Sequence, residues 1–197
     1  MQIIIYDTEF TAWEGSFQRN WELDWESREL IQFAGIKIDV SHRSIEHLDI
    51  FSQFIQPQKN PTLSKYIQNL TGIKQTQVDM GLHPSQFFKE VRDFCNNGTI
   101  PIVSWGNDLP TLLETAQINE LNIDWLKSHN LIPLFDEFGI DTQINSGQLY
   151  QRFNLCLELQ EHNAMDDTLS LVASINHLHQ QNPSLVYKFF KALFNSK

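Results

Sequence analysis

Apolar and polar residues alternate with a period of two through the first third of the chain and fall into a helical period later on. Three strands are predicted in the first part. They are an apolar run over Ile3–Phe10, a second over Leu30–Val40 in which Ile36 and Ile38 alternate with Lys37 and Asp39, and a third over Leu48–Gln56 stopped by Pro57. Trp13–Ser27 is rich in Trp, Glu and Asn, has no clear period and predicts a loop. Short helices are predicted over Pro61–Leu70, closed by Gly72, and over Pro84–Asn96, where Phe87, Phe88, Val91 and Cys95 follow helical spacing. Ile100–Trp105 predicts a fourth strand, a helix begins near Asp108-Leu109-Pro110, and Leu131–Phe135 predicts a fifth strand. Helical patterns over Ser146–Leu157, Ala164–His179 and Pro183–Phe194 complete the chain, the last expected to close the core. Three consecutive strands followed by strands alternating with helices predict an α/β fold. Its mixed five-stranded sheet is flanked by helices, with the first three strands antiparallel and the later ones parallel to the first.

Composition narrows this picture. At 197 residues the chain is expected to form a single domain over 1–197. An apolar content of 41% excludes a disordered chain, and 8 Gly exclude a collagen-like one. Cys95 and Cys156 are too few for a disulfide framework and suit a reducing compartment. No basic segment precedes the first apolar run, and no run approaches the ~20 residues of a membrane span, so a soluble, cytoplasmic protein without a membrane partner is expected. With 24 Asp+Glu against 14 Lys+Arg, the formal charge is −10. Such acidity argues against a non-specific coat on nucleic acid, which needs Lys and Arg at the phosphates. It leaves room for an enzyme that meets a phosphodiester through metal ions.

Carboxylates interrupt faces that should be apolar. In the first strand Ile3, Ile5, Asp7 and Glu9 share one side, with the two acids ~6.7 Å apart. A solvated turn after Tyr6 is the ordinary explanation; a compensating cation is the other. In Ala164–His179 the apolar stripe is Ala164, Leu171, Ile175 and Leu178, and Asp167 lies on it, whereas Asp166 lies toward the polar side, where a first-turn acid favours the helix dipole. His162 stands just before that helix. Asp108 follows the fourth strand and suits an N-cap before Pro110 nearly as well as a metal ligand. Four acids and one His suit hard ions such as Mg²⁺ or Mn²⁺ better than zinc. Two such ions support phosphodiester hydrolysis, and an imidazole can accept the proton of the attacking water near neutral pH.

Together these residues resemble the DEDDh 3′–5′ exonucleases. Asp7-Thr8-Glu9 matches the family's first motif, His162 to Asp167 its last, and Asp108 its middle aspartate. Glu29-Leu-Ile-Gln-Phe-Ala-Gly-Ile, Phe54-Ile-Gln-Pro, Leu70-Thr-Gly-Ile and Val103-Ser-Trp-Gly are similar to the branch with histone-mRNA and small-RNA 3′ exonucleases and their bacterial relatives. One departure is a spacing one residue shorter between Ser104-Trp105-Gly106 and the middle aspartate than many relatives have. The resemblance implies a ribonuclease-H-like fold and two divalent cations, Mg²⁺ or Mn²⁺. Asp7, Glu9 and Asp167 would hold one ion, Asp7 with Asp108 would position the second, and His162 would act as general base. It also implies that Glu9 contacts the 3′ terminus, and that the substrate is a single-stranded nucleic-acid 3′ end, RNA favoured, cut to nucleoside 5′-monophosphates. Thr8 and Phe10 would line the terminal nucleotide pocket, with Trp13 and Trp105 as further stacking candidates. For Phe10, Trp13 and Trp105 ordinary core packing is the competing explanation. A DNA exonuclease, a hydrolase of small phosphoesters and a non-catalytic binding module on the same fold are the rivals.

Overall fold

The computed structural model describes residues 1–106 and 108–194. Its sheet has the strand order β3-β2-β1-β4-β5, with β1 at Gln2–Phe10, β2 at Leu30–Val40, β3 at Ile45–Phe54, β4 at Ile102–Ser104 and β5 at Ser128–Asn130. β1 to β3 run antiparallel, whereas β4 and β5 run parallel to β1, as the pattern of elements predicts. β1 is the central strand, so its two faces are both covered, and Ile3, Ile4, Ile5 and Tyr6 are all buried.

One face, with Ile3, Ile5, Ile36 and Ile38, packs against α6 (Ala164–Gln181) and α7 (Pro183–Leu193). The other, with Ile4, Tyr6 and Phe33, packs against α3 (Pro84–Phe94) and α4 (Leu109–Ile118). A smaller cluster of Ala12, Ile31, Leu63, Ile67, Ile73 and Val78 seats α1 (Lys65–Thr71) and α2 (Gln75–Asp79) beside the end of β1. α7 closes the core through Val186 and Phe190, while Phe194 is exposed. Trp13–Ser27 is a series of turns, and among the described residues no helix is long and apolar enough to cross a membrane.

Two expectations need correction. The apolar run Leu131–Phe135 is not a strand: α5 occupies Ile132–Glu137, with Pro133 in its first turn, and β5 lies just before it at Ser128–Asn130. Proline lacks the N–H a strand interior needs, yet it starts a helix well. The predicted helix over Ser146–Leu157 is a 3₁₀ helix over Ser146–Phe153, ended by Asn154 in the left-handed conformation.

The loop after β3 is tied down from within. Glu29 is fully buried, and its carboxylate accepts the backbone N–H groups of Gln58 (2.6 Å), Lys59 (2.9 Å) and Asn60 (2.6 Å). Truncating it leaves three donors without their acceptor. Glu29→Ala is therefore expected to destabilise the fold by ~2–4 kcal/mol, read as a lower urea midpoint with the slope unchanged. A midpoint within error of the parent would contradict this role.

Candidate active site

Asp7, Glu9 and Asp167 converge at the C-terminal end of β1. Each offers a carboxylate oxygen, and these atoms lie within 4.8 Å of one another. All three residues are buried. Backbone pairing brings the two elements together. In the β1/β2 register Asp7 stands opposite Ala34 and Glu9 opposite Gln32. The first turn of α6 meets those same two β2 residues: Ala164 N–H donates to Gln32 Oε1 (3.1 Å), and the Thr168 hydroxyl, which donates to the Ala164 carbonyl (2.6 Å), lies 3.2 Å from the Ala34 carbonyl. Asp167 lies between these two anchors and so lands beside the β1 acids. Asn163 caps the helix through the N–H groups of Met165 and Asp166. Asp166 is thus free of that duty, and its carboxylate accepts the Gln160 N–H (2.9 Å).

Asp108 reaches the same cleft from β4. It occupies the N-cap position of α4, yet its side chain makes no capping bond. Its Oδ2 is buried without a hydrogen-bond partner, and so is Oδ1 of Asp167. Two buried, unpartnered carboxylate oxygens at one cleft are costly unless a cation completes them. The donor set is all oxygen, which fits a hard divalent ion.

The cleft encloses about 220 Å³ and is lined by the four acids together with Thr8, Phe10, Phe17, Ile67, Leu70, Trp105, the 144–146 segment and His162. Of the residues singled out from sequence, only Trp13 is absent from this lining; its ring packs edge-on against Trp25 at 4.9 Å. Trp105 lines the cleft with its ring engaged: Nε1 donates to the Ile144 carbonyl (2.9 Å), and the indole meets Phe135 edge-on at 5.0 Å. Phe10 follows a register shift after Glu9, a bulge of the kind that re-aims side chains at a sheet rim. His162 has a φ of +59°, a left-handed conformation in which His is several-fold enriched among non-glycine residues. Its neighbours anchor it: Gln160 Nε2 donates to the Thr71 carbonyl (3.2 Å), and Gln148 Nε2 donates to Glu161 Oε2 (2.8 Å).

Electrostatics follow from this crowding. Burial first, then Asp108, Asp167 and Glu9, hold the Asp7 carboxyl well above the ordinary carboxylate range. Burial, then Asp167 and Asp108, do the same to Glu9. Asp108 and Asp167 are each pushed up to about 7, chiefly by burial.

Two contributors have no signature in the sequence. Ser146, at the start of the 3₁₀ helix, places its hydroxyl 3.1 Å from Asp7 Oδ1 and 3.4 Å from Asp167 Oδ2. Its own carbonyl accepts from Ser170 Oγ of α6 (2.6 Å). Gly147 comes next, and a Cβ there would stand 2.3 Å from Asp167 Oδ1. A Ser-Gly pair at the start of a helical pattern gives no warning of either role.

The exonuclease family profile matches residues 4–175. Human ERI1 exoribonuclease 2 is 35% identical over 80 residues, which cover 41% of this chain and 10% of that protein. The probable 3′-5′ exonuclease KapD of Bacillus subtilis is 28% identical over 121 residues, 60% of this chain and 55% of that one. The chain thus spans a tenth of the human relative and about half of the bacterial one. In three dimensions it is similar to the nuclease domain of 3′hExo, a DEDDh family member, bound to rAMP. The TM-score is 0.77 at 21% identity, covering 92% of each chain.

Two outcomes follow from the geometry. A carboxylate whose folded pKa is raised gives a native state that holds more protons than the unfolded state between the ordinary value near 4 and about 7, so stability falls as pH rises through that window. In EDTA, Tm should decline from pH 5 to 8, and Asp167→Asn should flatten the decline; a Tm that rises over this range would contradict the raised pKa values. Second, Ser146→Ala should weaken Mn²⁺ binding, read by titration against Tm, by about tenfold. Gly147→Ala, which forces Asp167 to move, should weaken it at least as much. Unchanged Mn²⁺ affinity in both would remove Ser146 and Gly147 from the site.

Proposed function

Because the chain belongs to the exonuclease (RNase_T) family, we propose that it is a metal-dependent 3′–5′ exonuclease that removes nucleoside 5′-monophosphates from single-stranded 3′ ends, RNA in preference to DNA. The observation that carries this reading is the convergence of three buried carboxylates, with unpartnered oxygens on Asp167 and Asp108, in an open cleft. The preference for RNA draws support from relatives named as exoribonucleases and from the rAMP complex of a protein with the same fold.

Asp7, Glu9 and Asp167 would hold one divalent cation, and Asp7 with Asp108 would position a second, Mg²⁺ or Mn²⁺. Bound there, such ions would supply charge stabilisation at the attacking and leaving oxygens of the displacement. His162 takes the proton of the attacking water, a task for which an imidazole is well suited. Anchoring of Gln160 to Thr71 and of Glu161 to Gln148 supports the segment that carries His162 at the cleft. Thr8, whose Oγ1 is buried without a partner, and Phe10 line the place of the terminal nucleotide. A binding module without catalysis has no use for four poorly solvated acids, whose mutual repulsion it would carry to no benefit.

The test is degradation of 3′- and 5′-labelled single strands of RNA and DNA of one sequence, with Mg²⁺, Mn²⁺ or EDTA. Shortening from the 3′ end that requires metal is expected, faster on RNA. His162→Ala should lower kcat by about 10²–10⁴ with metal affinity retained, and Asp7→Asn should abolish both turnover and the metal-induced rise in Tm. Strands left intact under every metal would overturn the enzymatic reading.

A further inference from the structure

After the 3₁₀ helix ends at Phe153, the chain runs without helix or strand until α6 begins at Ala164. No residue between Tyr150 and Ala164 is buried. His162 lines the cleft, whereas Gln160 and Asn163 line a second, polar cavity of about 400 Å³ together with Thr71, Gly72 and Lys74. The segment thus borders open space at two places, and burial of apolar surface contributes little to its position. Yet His162 has a φ of +59°, a backbone state that persists only where its surroundings enforce it.

Two side-chain amides reach the segment from different elements. Gln148 Nε2 donates to Glu161 Oε2 (2.8 Å), a bond strengthened by the charge of its acceptor. Gln160 Nε2 donates to the Thr71 carbonyl (3.2 Å), in the last turn of α1 where helical partners run out. Both fits are close. A Cβ at Gly147 would stand 3.4 Å from Glu161 Cα, and one at Gly72 would stand 3.1 Å from Gln160 Nε2. Gln148 also lies two residues after Ser146, whose hydroxyl is 3.1 Å from Asp7 Oδ1 and 3.4 Å from Asp167 Oδ2. One turn of 3₁₀ helix therefore touches both the metal-site acids and the residue before His162. A local bond from the Gln160 N–H to Asp166 Oδ2 (2.9 Å) closes the segment on α6, but it reaches neither α1 nor the 3₁₀ helix.

We propose that Gln148 and Gln160 are positioning residues for the general base: their amides hold the two residues that precede His162 and so fix where its imidazole stands relative to the metal-site acids. The proposal rests on the exonuclease reading and adds to it the means by which an unburied segment delivers a base. A displacement of about 1 Å at a reacting group can cost about 10²-fold in rate, so a weakly packed base needs such ties. Both tethers are neutral amides, which do not titrate between pH 5 and 9. Their removal should therefore lower the rate by the same factor at every pH and leave the shape of the pH profile unchanged.

The test uses the full chain, single strands of RNA and saturating Mg²⁺, with Mn²⁺ affinity and amide hydrogen exchange measured beside the kinetics. Gln148→Ala and Gln160→Ala should each lower kcat about tenfold, with KM and Mn²⁺ affinity unchanged. Exchange should quicken over residues 155–163 and nowhere else. Placed in a His162→Ala background, neither substitution should lower the residual rate further, because there is no base left to position. Exchanging the partners, Gln148→Glu with Glu161→Gln, rebuilds the bond in reverse and should restore kcat. An unchanged kcat in both single variants would overturn the proposal even if exchange quickens. So would a loss that persists in the His162→Ala background, or one matched by an equal loss of Mn²⁺ affinity. A parent chain that leaves every strand intact would overturn the exonuclease reading and the positioning role with it; an active parent with unaffected variants would overturn the positioning role alone.

Discussion

Repulsion among four carboxylates in one poorly solvated cleft is the constraint around which this fold is arranged. Among the described residues no ion pair touches Asp7, Glu9, Asp108 or Asp167; the groups that reach them are uncharged, chief among them the hydroxyl of Ser146 beside Asp7 and Asp167. A hydroxyl has one proton to give, so it can satisfy Asp7 or Asp167 but not both at once. Left to themselves, strand end and helix would move apart to let water in. Backbone ties prevent this. β1 is paired with β2 through Asp7 and Glu9 and with β4 at Ile4 and Ile5, and Ala164 at the start of α6 donates to Gln32, the β2 residue opposite Glu9. These ties hold the acids together against their repulsion.

The same division between a rigid frame and an unfavourable centre recurs around it. Glu29 is as buried as the cleft acids, but three backbone N–H groups surround it, so that charge strengthens the fold instead of opposing it. Glu26 is paired with Arg19 and Ser16. Carboxylates with full complements of donors mark the frame; carboxylates with orphaned oxygens mark the place where something else must bind.

Much of this was legible in the chain itself. The alternation in β1 put Asp7 and Glu9 on the Ile3 and Ile5 face, and the stripe of α6 put Asp167 on the inward side, because those elements are long and periodic enough for face to be read from spacing. What escaped was written in short or aperiodic text. Ser128–Asn130 joins the sheet by backbone pairing with little β preference in its side chains, so the apolar Leu131–Phe135 run drew the strand assignment although Pro133 argued against it. Ser146 and Gly147 begin a short helical pattern that marks neither of them out, and their roles depend on contacts with residues far along the chain. Asp108 was balanced between cap and ligand; only the absence of a capping bond and the orphaned Oδ2 incline it toward the metal.

The placement of β1 also bears on how the molecule is assembled. Within this chain the central strand of the sheet precedes its other strands. Its parallel neighbour β4 follows about a hundred residues later, and the α6 helix that covers its acidic face later still. Ile3 and Ile5 remain uncovered on that side until nearly the whole chain has emerged, with only the β1–β3 meander available early. Contacts this distant in sequence form slowly and leave apolar surface open meanwhile. Charges at the end of an apolar strand disfavour its pairing with a second copy, so Asp7 and Glu9 sit where such protection is needed while that face of β1 is uncovered.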